Sequence, residues 1–161
     1  MISKESKAPG SFLPRTKMSP TQPKAYVGVV SRAHVHKGVA EGFAMLNHGK
    51  KAPLLKLHQG DWLIYYSPKV SYPDGAPLKA FTAIGRVKAG EPYQAAMAPG
   101  MTGYRKDVAY KKSAHEVPIE DLRTELEFMQ KPWGMLARRG MFEISLADAK
   151  QIAKAMGIQL H

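Results

Sequence analysis

The chain has 161 residues, a formal net charge of +11 and no cysteine, and none of its apolar runs approaches the roughly 20 residues that cross a membrane. It fits one domain large enough to fold alone, and it excludes disulfides, thiolate catalysis and cysteine-based zinc sites. The N-terminus carries no apolar stretch resembling a signal peptide, so a cytoplasmic location is expected.

The charge is unevenly spread. Residues 25–115 hold thirteen basic and five acidic side chains, whereas residues 116–127 hold one and five. A basic excess of this kind supplies the salt-dependent, sequence-independent part of nucleic-acid binding. It also occurs in basic proteins with no such partner.

Residues 1–22 combine prolines, lysines, Ser and Thr with few large apolar residues, which predicts a disordered basic tail. Residues 23–161 are then the folded domain. Ala25 to Val30 is a short β-branched strand. Ser31 follows it directly and is placed to cap a short helix over 32–37 that Gly38 stops. His34 and His36 point to different sides of such a helix, which argues against a shared metal. The segment from Glu41 to Pro53 has no decisive periodicity. Its Gly49-Lys50-Lys51 lacks the first glycine and the trailing Ser/Thr of a phosphate loop.

Gly60-Asp61 is a turn, and Trp62-Leu63-Ile64-Tyr65-Tyr66-Ser67 follows as an unbroken strand ended by Pro68. Alternation puts Trp62, Ile64 and Tyr66 on one face and Leu63, Tyr65 and Ser67 on the other. Neither face is polar throughout, so both are covered. Asp74-Gly75 turns the chain into a partner strand over 78–87. Residues 92–97 and 104–110 read as two further strands, the second with one wet face.

Pro118 to Met129 reads as a helix with Pro in its first turn, acids near its start and a stripe of Ile119, Leu122, Leu126 and Met129. Met141 to Ile144 is a short strand. Ser145 to Asp148 forms a capping box with Asp in place of Glu, and the last helix ends at Gly157. No GxSxG, HExxH or GxGxxG occurs, so no catalytic set, metal-ligand set or cofactor motif is expected.

In this order the segments resemble the EVE-domain family of the PUA-like superfamily. The resemblance rests on Gly28-Val29-Val30-Ser31-Arg32, Gly42-Phe43-Ala44, His48-Gly49-Lys50-Lys51-Ala52-Pro53-Leu54, Gly60 to Lys69, Leu78 to Val87, Tyr104 to Val108, Trp133-Gly134, Arg138, Gly140 and Phe142 to Ser145. It covers about residues 25–156. It implies an α+β fold, a PUA-like mixed β-barrel of five to six strands flanked by helices. It further implies a non-catalytic module that reads a modified or flipped base in DNA or RNA through an aromatic pocket. The alternatives are an enzyme on a nucleotide or nucleic acid, like some ASCH relatives, with Lys79 and Asp107 as a candidate pair, and a protein-interaction domain.

In the related YTH readers an aromatic cage lies at the end of the first strand. Its counterparts by position are Ser31 and Arg32, Phe43, and the strand end Tyr66-Ser67-Pro68. Ala44 stands where a second cage ring would follow Phe43, so Trp133 is the candidate from another element. His48 and Arg139 are placed at the rim. Trp62, Tyr65 and Phe81 are read as core, while Phe43, Tyr66 and Trp133 fit either core or pocket.

Overall fold

The computed structural model describes residues 22–160. The tail expected over 1–22 lies, but for its last residue, outside the described residues.

Among the described residues, eight strands and four α-helices form the domain. The strands are β1 (Ala25–Val29), β2 (Phe43–Ala44), β3 (Trp62–Lys69), β4 (Pro77–Val87), β5 (Tyr93–Ala98), β6 (Met101–Tyr110), β7 (Val117–Pro118) and β8 (Met141–Ile144). The helices are α1 (Arg32–Glu41), α2 (Ala52–Leu55), α3 (Gly134–Arg138) and α4 (Leu146–Ala155). The sheet runs β2-β6-β4-β3-β1-β8, with β5 added on β6 and β7 on β4. β1 and β3 are parallel, with Val27 opposite Ile64 and Val29 opposite Tyr66, and the other pairs are antiparallel. The six strands of this path make the mixed, curled half-barrel with flanking helices that the resemblance implies, and β5 and β7 are additions to it.

β3 lies at the centre because both of its faces are apolar. Trp62, Ile64 and Tyr66 pack with Phe81, Ile84, Leu126, Phe142 and Ile152. Leu63 and Tyr65 pack on the other side with Val35, Leu46, Leu54 and Val108. A strand with a core on each side can neither slip by one residue nor expose a face without losing both sets of contacts.

Three expectations are corrected. β3 does not stop at Pro68 but runs through it to Lys69, which pairs with Pro77 across a register shift that leaves the proline without a ladder partner. α1 runs past Gly38 to Glu41, and the stop is Gly42, whose φ of 80° closes the helix with its N–H on the Gly38 carbonyl. Gly38 serves packing instead, since a Cβ there would come within 2.7 Å of the Phe43 carbonyl oxygen. The helix expected over 118–129 is two 3₁₀ turns, Ile119–Leu122 and Glu127–Gln130, with Leu126 extended between them. Ile119, Leu122, Leu126 and Met129 are buried as the stripe requires. The backbone breaks because the buried Asp148 carboxylate accepts the N–H groups of Glu127 at 2.7 Å and Phe128 at 3.1 Å, a tertiary capping bond that overrides local propensity. Asp148 also closes the expected cap of α4, its own N–H donating to the Ser145 hydroxyl at 3.0 Å.

Candidate functional site

A cavity of about 430 Å³ opens where β1 gives way to α1. The end of β1 is held on both sides, by Val29 N–H on the Gly140 carbonyl at 2.8 Å and Val30 N–H on the Tyr66 carbonyl at 3.1 Å. The start of α1 is fastened by Ala33 N–H on the Val70 carbonyl at 2.9 Å. These bonds fix Ser31 between strand and helix in an extended conformation. Its side chain makes no capping bond. Among the described residues its hydroxyl oxygen is buried and has no hydrogen-bond partner.

Across the cavity, Phe43 lies under the guanidinium of Arg105, whose central carbon is 3.8 Å from the ring centroid. Arg105 Nη2 donates to the Ala96 carbonyl at 3.2 Å, while Nε is buried without a hydrogen-bond partner among the described residues. Two buried polar atoms without a hydrogen-bond partner among the described residues therefore belong to residues that line the same cavity, and the Arg105 guanidinium also lies 3.9 Å from a Glu41 carboxylate oxygen.

The aromatic wall is built by Tyr65. Its hydroxyl takes part in a relay in which Tyr110 donates to the Phe43 carbonyl at 2.8 Å and lies 3.3 Å from the Tyr65 oxygen. Burial pushes the Tyr65 pKa up to about 12, and burial holds Tyr110 well above its usual value. Both rings are thus neutral hydrogen-bonding groups. The near wall is a strained turn. Asn47 and His48 both adopt positive φ, 48° and 58°, ahead of Gly49 at 88°. Asn47 holds the turn by donating from Nδ2 to the Arg139 carbonyl at 3.2 Å.

Lys37, Lys69, Arg105 and Arg138 line the cavity with His34 and His48, and none of the lining residues carries a carboxylate. The lining is therefore suited to an anionic or acceptor-rich ligand. It offers no carboxylate as a general base. Lys79 and Asp107 are not brought together, since Lys79 acts on Glu120 while Asp107 accepts from the Tyr93 hydroxyl at 2.6 Å. Among the described residues no group of three or more His, Asp or Glu is placed to hold a metal ion, and no helix is long and apolar enough to cross a membrane.

Of the residues singled out by sequence, Ser31, Phe43, His48 and Pro68 line the cavity. The others do not. Arg32 turns away to pair with Glu116 at 2.9 Å. Tyr66 is buried in the opposite core, edge-on to Phe81 and Trp133 with centroids 6.0 and 5.5 Å away. Trp133 packs there against Tyr66 and Phe128, so it does not complete a cage. Ser67 is fully buried, its hydroxyl 2.8 Å from that of Thr82. Arg139 contributes its carbonyl to the Asn47 bond, and its neighbours Arg138 and Gly140 reach the cavity. Tyr65, Tyr72, Met97, Lys37 and Arg105 were not anticipated as lining residues. Alternation along β3 was the available signal for Tyr65, since it places Tyr65 opposite to Tyr66.

A curled mixed sheet with a cavity at the first strand–helix junction defines a PUA-like domain. The chain belongs to the EVE domain family, which matches residues 19–155. It is similar to the UPF0310 protein YdcG of Bacillus subtilis, 53% identical over 137 residues that make up 84% of this chain and 93% of the relative. It is also 45% identical to a UPF0310 protein of Mycolicibacterium vanbaalenii, over 81% of this chain and 91% of that one. In fold it resembles the YTH domain of the Zygosaccharomyces rouxii MRB1 protein, solved in complex with N6-methyladenosine RNA, with a TM-score of 0.57 and 16% identity over 94% of this chain and 97% of that one.

Proposed function

We propose that the domain is a non-catalytic nucleic-acid-binding module whose cavity holds one base, modified or flipped out of its strand. The observation that carries this reading is the pair of buried, unpartnered polar atoms, Ser31 Oγ and Arg105 Nε, in an aromatic cavity without carboxylates. A base edge supplies the donors and acceptors that such atoms lack, and its faces suit Tyr65, Phe43 and the guanidinium plane of Arg105. The cavity volume falls in the range of small-ligand pockets, about 300–1,000 Å³. Stacking contributes on the order of 1–3 kcal/mol per base, and one added methyl about 0.8 kcal/mol, so discrimination depends on a close fit. The excess of +11 supplies a general attraction to phosphate. The fold shared with a YTH domain complexed with N6-methyladenosine RNA supports the class of ligand.

The test is a panel of fluorescent single- and double-stranded DNA and RNA oligonucleotides carrying N6-methyladenine, 5-methylcytosine or no modification, titrated at two salt concentrations. Tighter binding of one modified oligonucleotide at both salts is expected, with Ser31→Ala and Arg105→Met removing the preference. Equal binding of all oligonucleotides, unaffected by these substitutions, would remove the base pocket and leave only a basic surface.

A further inference from the structure

At the mouth of the cavity two rings stand in solvent. Tyr72 lines the cavity and yet is 63% exposed, and the exposed His48 ring lies 5.2 Å from it, tilted by 53°. Scattered exposed aromatics need no explanation, but this pair lies ring to ring and the backbone carrying each ring is held in place. The loop carrying Tyr72 is closed by Val70 N–H on the Ala76 carbonyl at 2.9 Å and Gly75 N–H on the Ser71 carbonyl at 3.0 Å. Lys69 Nζ donates to the Pro73 carbonyl at 2.9 Å, and Ala33 N–H ties the loop to α1 through Val70. A Cβ at Gly75 would overlap the backbone of Ser71, so the turn admits only glycine. His48 is fixed by its positive-φ turn, with Gly49 N–H on the Leu46 carbonyl at 3.0 Å. The backbone under both rings is therefore held before any ligand arrives, so stacking on them has only side-chain freedom to order.

The charges around the pair suit a strand. Lys69, Lys37 and Arg138 line the cavity, and the exposed Lys50 and Lys51 follow His48 in the chain. We propose that Tyr72, with His48 behind it, is a stacking platform for the nucleotide next to the one in the cavity, and that the preferred ligand is accordingly single-stranded DNA or RNA. This rests on the reading of the cavity as a base pocket. A strand that delivers one base to the cavity brings its neighbour to the mouth, and the lysines meet the phosphates between them. In a duplex the neighbouring base keeps both faces in its own stack, so it offers none to Tyr72.

The test uses three ligands built on the tightest-binding base of the oligonucleotide panel: a single-stranded pentanucleotide with that base at its centre, the same strand with abasic sites on both sides, and the mononucleotide. Tyr72→Ala is expected to weaken the intact strand by about 5- to 150-fold, the equivalent of one lost stack. Loss on the flanked-abasic strand and on the mononucleotide should be clearly smaller than on the intact strand, since neither offers a neighbouring base to the exposed face of Tyr72, and Tyr72→Phe should keep the affinity for the intact strand. The urea midpoint of Tyr72→Ala should match wild type, since the ring is mostly exposed. Unchanged affinity of Tyr72→Ala for the intact strand overturns the platform while leaving the base pocket standing. An equal loss on all three ligands overturns it too, by making Tyr72 part of the pocket. Failure of the wild type to bind any of the three overturns the base pocket, and the platform with it.

Discussion

Asn47 occupies the space that a side chain at Gly140 would need. A Cβ built on Gly140 overlaps Asn47 Oδ1, and Gly140 sits at a φ of 79° that disfavours any other residue. The same asparagine donates to the Arg139 carbonyl, so the strained turn carrying His48 is locked against the start of β8. Gly140 in turn accepts from Val29 at the end of β1. Three segments distant in sequence meet here, and the cavity's near wall depends on the contact.

Gly140→Ala is therefore expected to destabilise the fold by about 2–3 kcal/mol, from the left-handed backbone and the displaced asparagine. Asn47→Ala alone should cost about 1 kcal/mol for its hydrogen bond. The double variant should be less destabilised than the sum of the two, because removing Asn47 makes room for the new methyl. Urea unfolding of all four proteins reads the coupling, and strict additivity would show that the two positions do not share this space.

Tyr66→Ala should behave as a core truncation. The ring is buried against Phe81 and Trp133, so a loss of about 3–5 kcal/mol is expected. Affinity per folded molecule should stay unchanged. Unfolding and titration of one sample separate the two effects, and a large loss of affinity without loss of stability would put Tyr66 back at the ligand.

The contrast between Tyr65 and Tyr66 shows what local pattern carries. The start of β3, the hairpin to β4, the Ser145 cap and the short strands β1 and β8 follow from turn residues and alternation, which are properties of neighbouring residues, whereas the end of β3 beyond Pro68 does not. Alternation also separates Tyr65 from Tyr66. It does not say which face borders a cavity, because both faces of β3 are apolar and both are covered. That choice is made where α1 and the Phe43–Gly49 segment pack, far away in sequence. Ser31 and Phe43 were legible because they stand beside a strand end and a glycine turn. Arg105 was not, since its site role comes from a ring on β2 that reaches it only through the β2–β6 pairing. Trp133 fits core or pocket by sequence for a similar reason: nothing in Lys131-Pro132-Trp133-Gly134 reports that the indole packs on Phe128.

Ser31→Ala separates binding from folding in the opposite sense to Tyr66→Ala. Its hydroxyl is buried with no hydrogen-bond partner among the described residues, so its removal should leave stability unchanged or raise it by up to about 1 kcal/mol. Affinity for the preferred oligonucleotide should fall about fivefold, the equivalent of one hydrogen bond. A clear loss of stability would mean that the hydroxyl has a partner in the free protein.

Lys37 and Arg138 are expected to act on phosphate alone. Replacing either with Gln should lower the slope of log affinity against log salt by about 0.7–0.9 for a single strand or duplex, respectively. Base preference should not change. Ser31→Ala should do the reverse, keeping the slope and altering the preference. Titrations across a salt series distinguish the two, and an altered preference in Lys37→Gln would place that ammonium on the base.

The buried tyrosine pair predicts how the fold fails in alkali. Tyr65 is raised from 10.0 to about 12 by burial, and Tyr110 is raised with it. Below pH 10 both are neutral in the folded and unfolded chain, and their contribution is fully present. Between pH 10 and about 12 the unfolded chain releases these protons while the folded one retains them, so stability falls as pH rises. For Tyr65 alone the loss across that window is of the order of 3 kcal/mol. Tyr65→Phe should lower stability by about 1 kcal/mol at neutral pH, for the hydrogen bond to Tyr110. Its decline between pH 10 and 12 should be shallower than that of wild type, because one of the two titrating groups is gone. Urea midpoints measured from pH 8 to 12 give both curves. Parallel curves would mean that Tyr65 ionises as easily inside the fold as outside, which its burial beside Tyr110 does not allow.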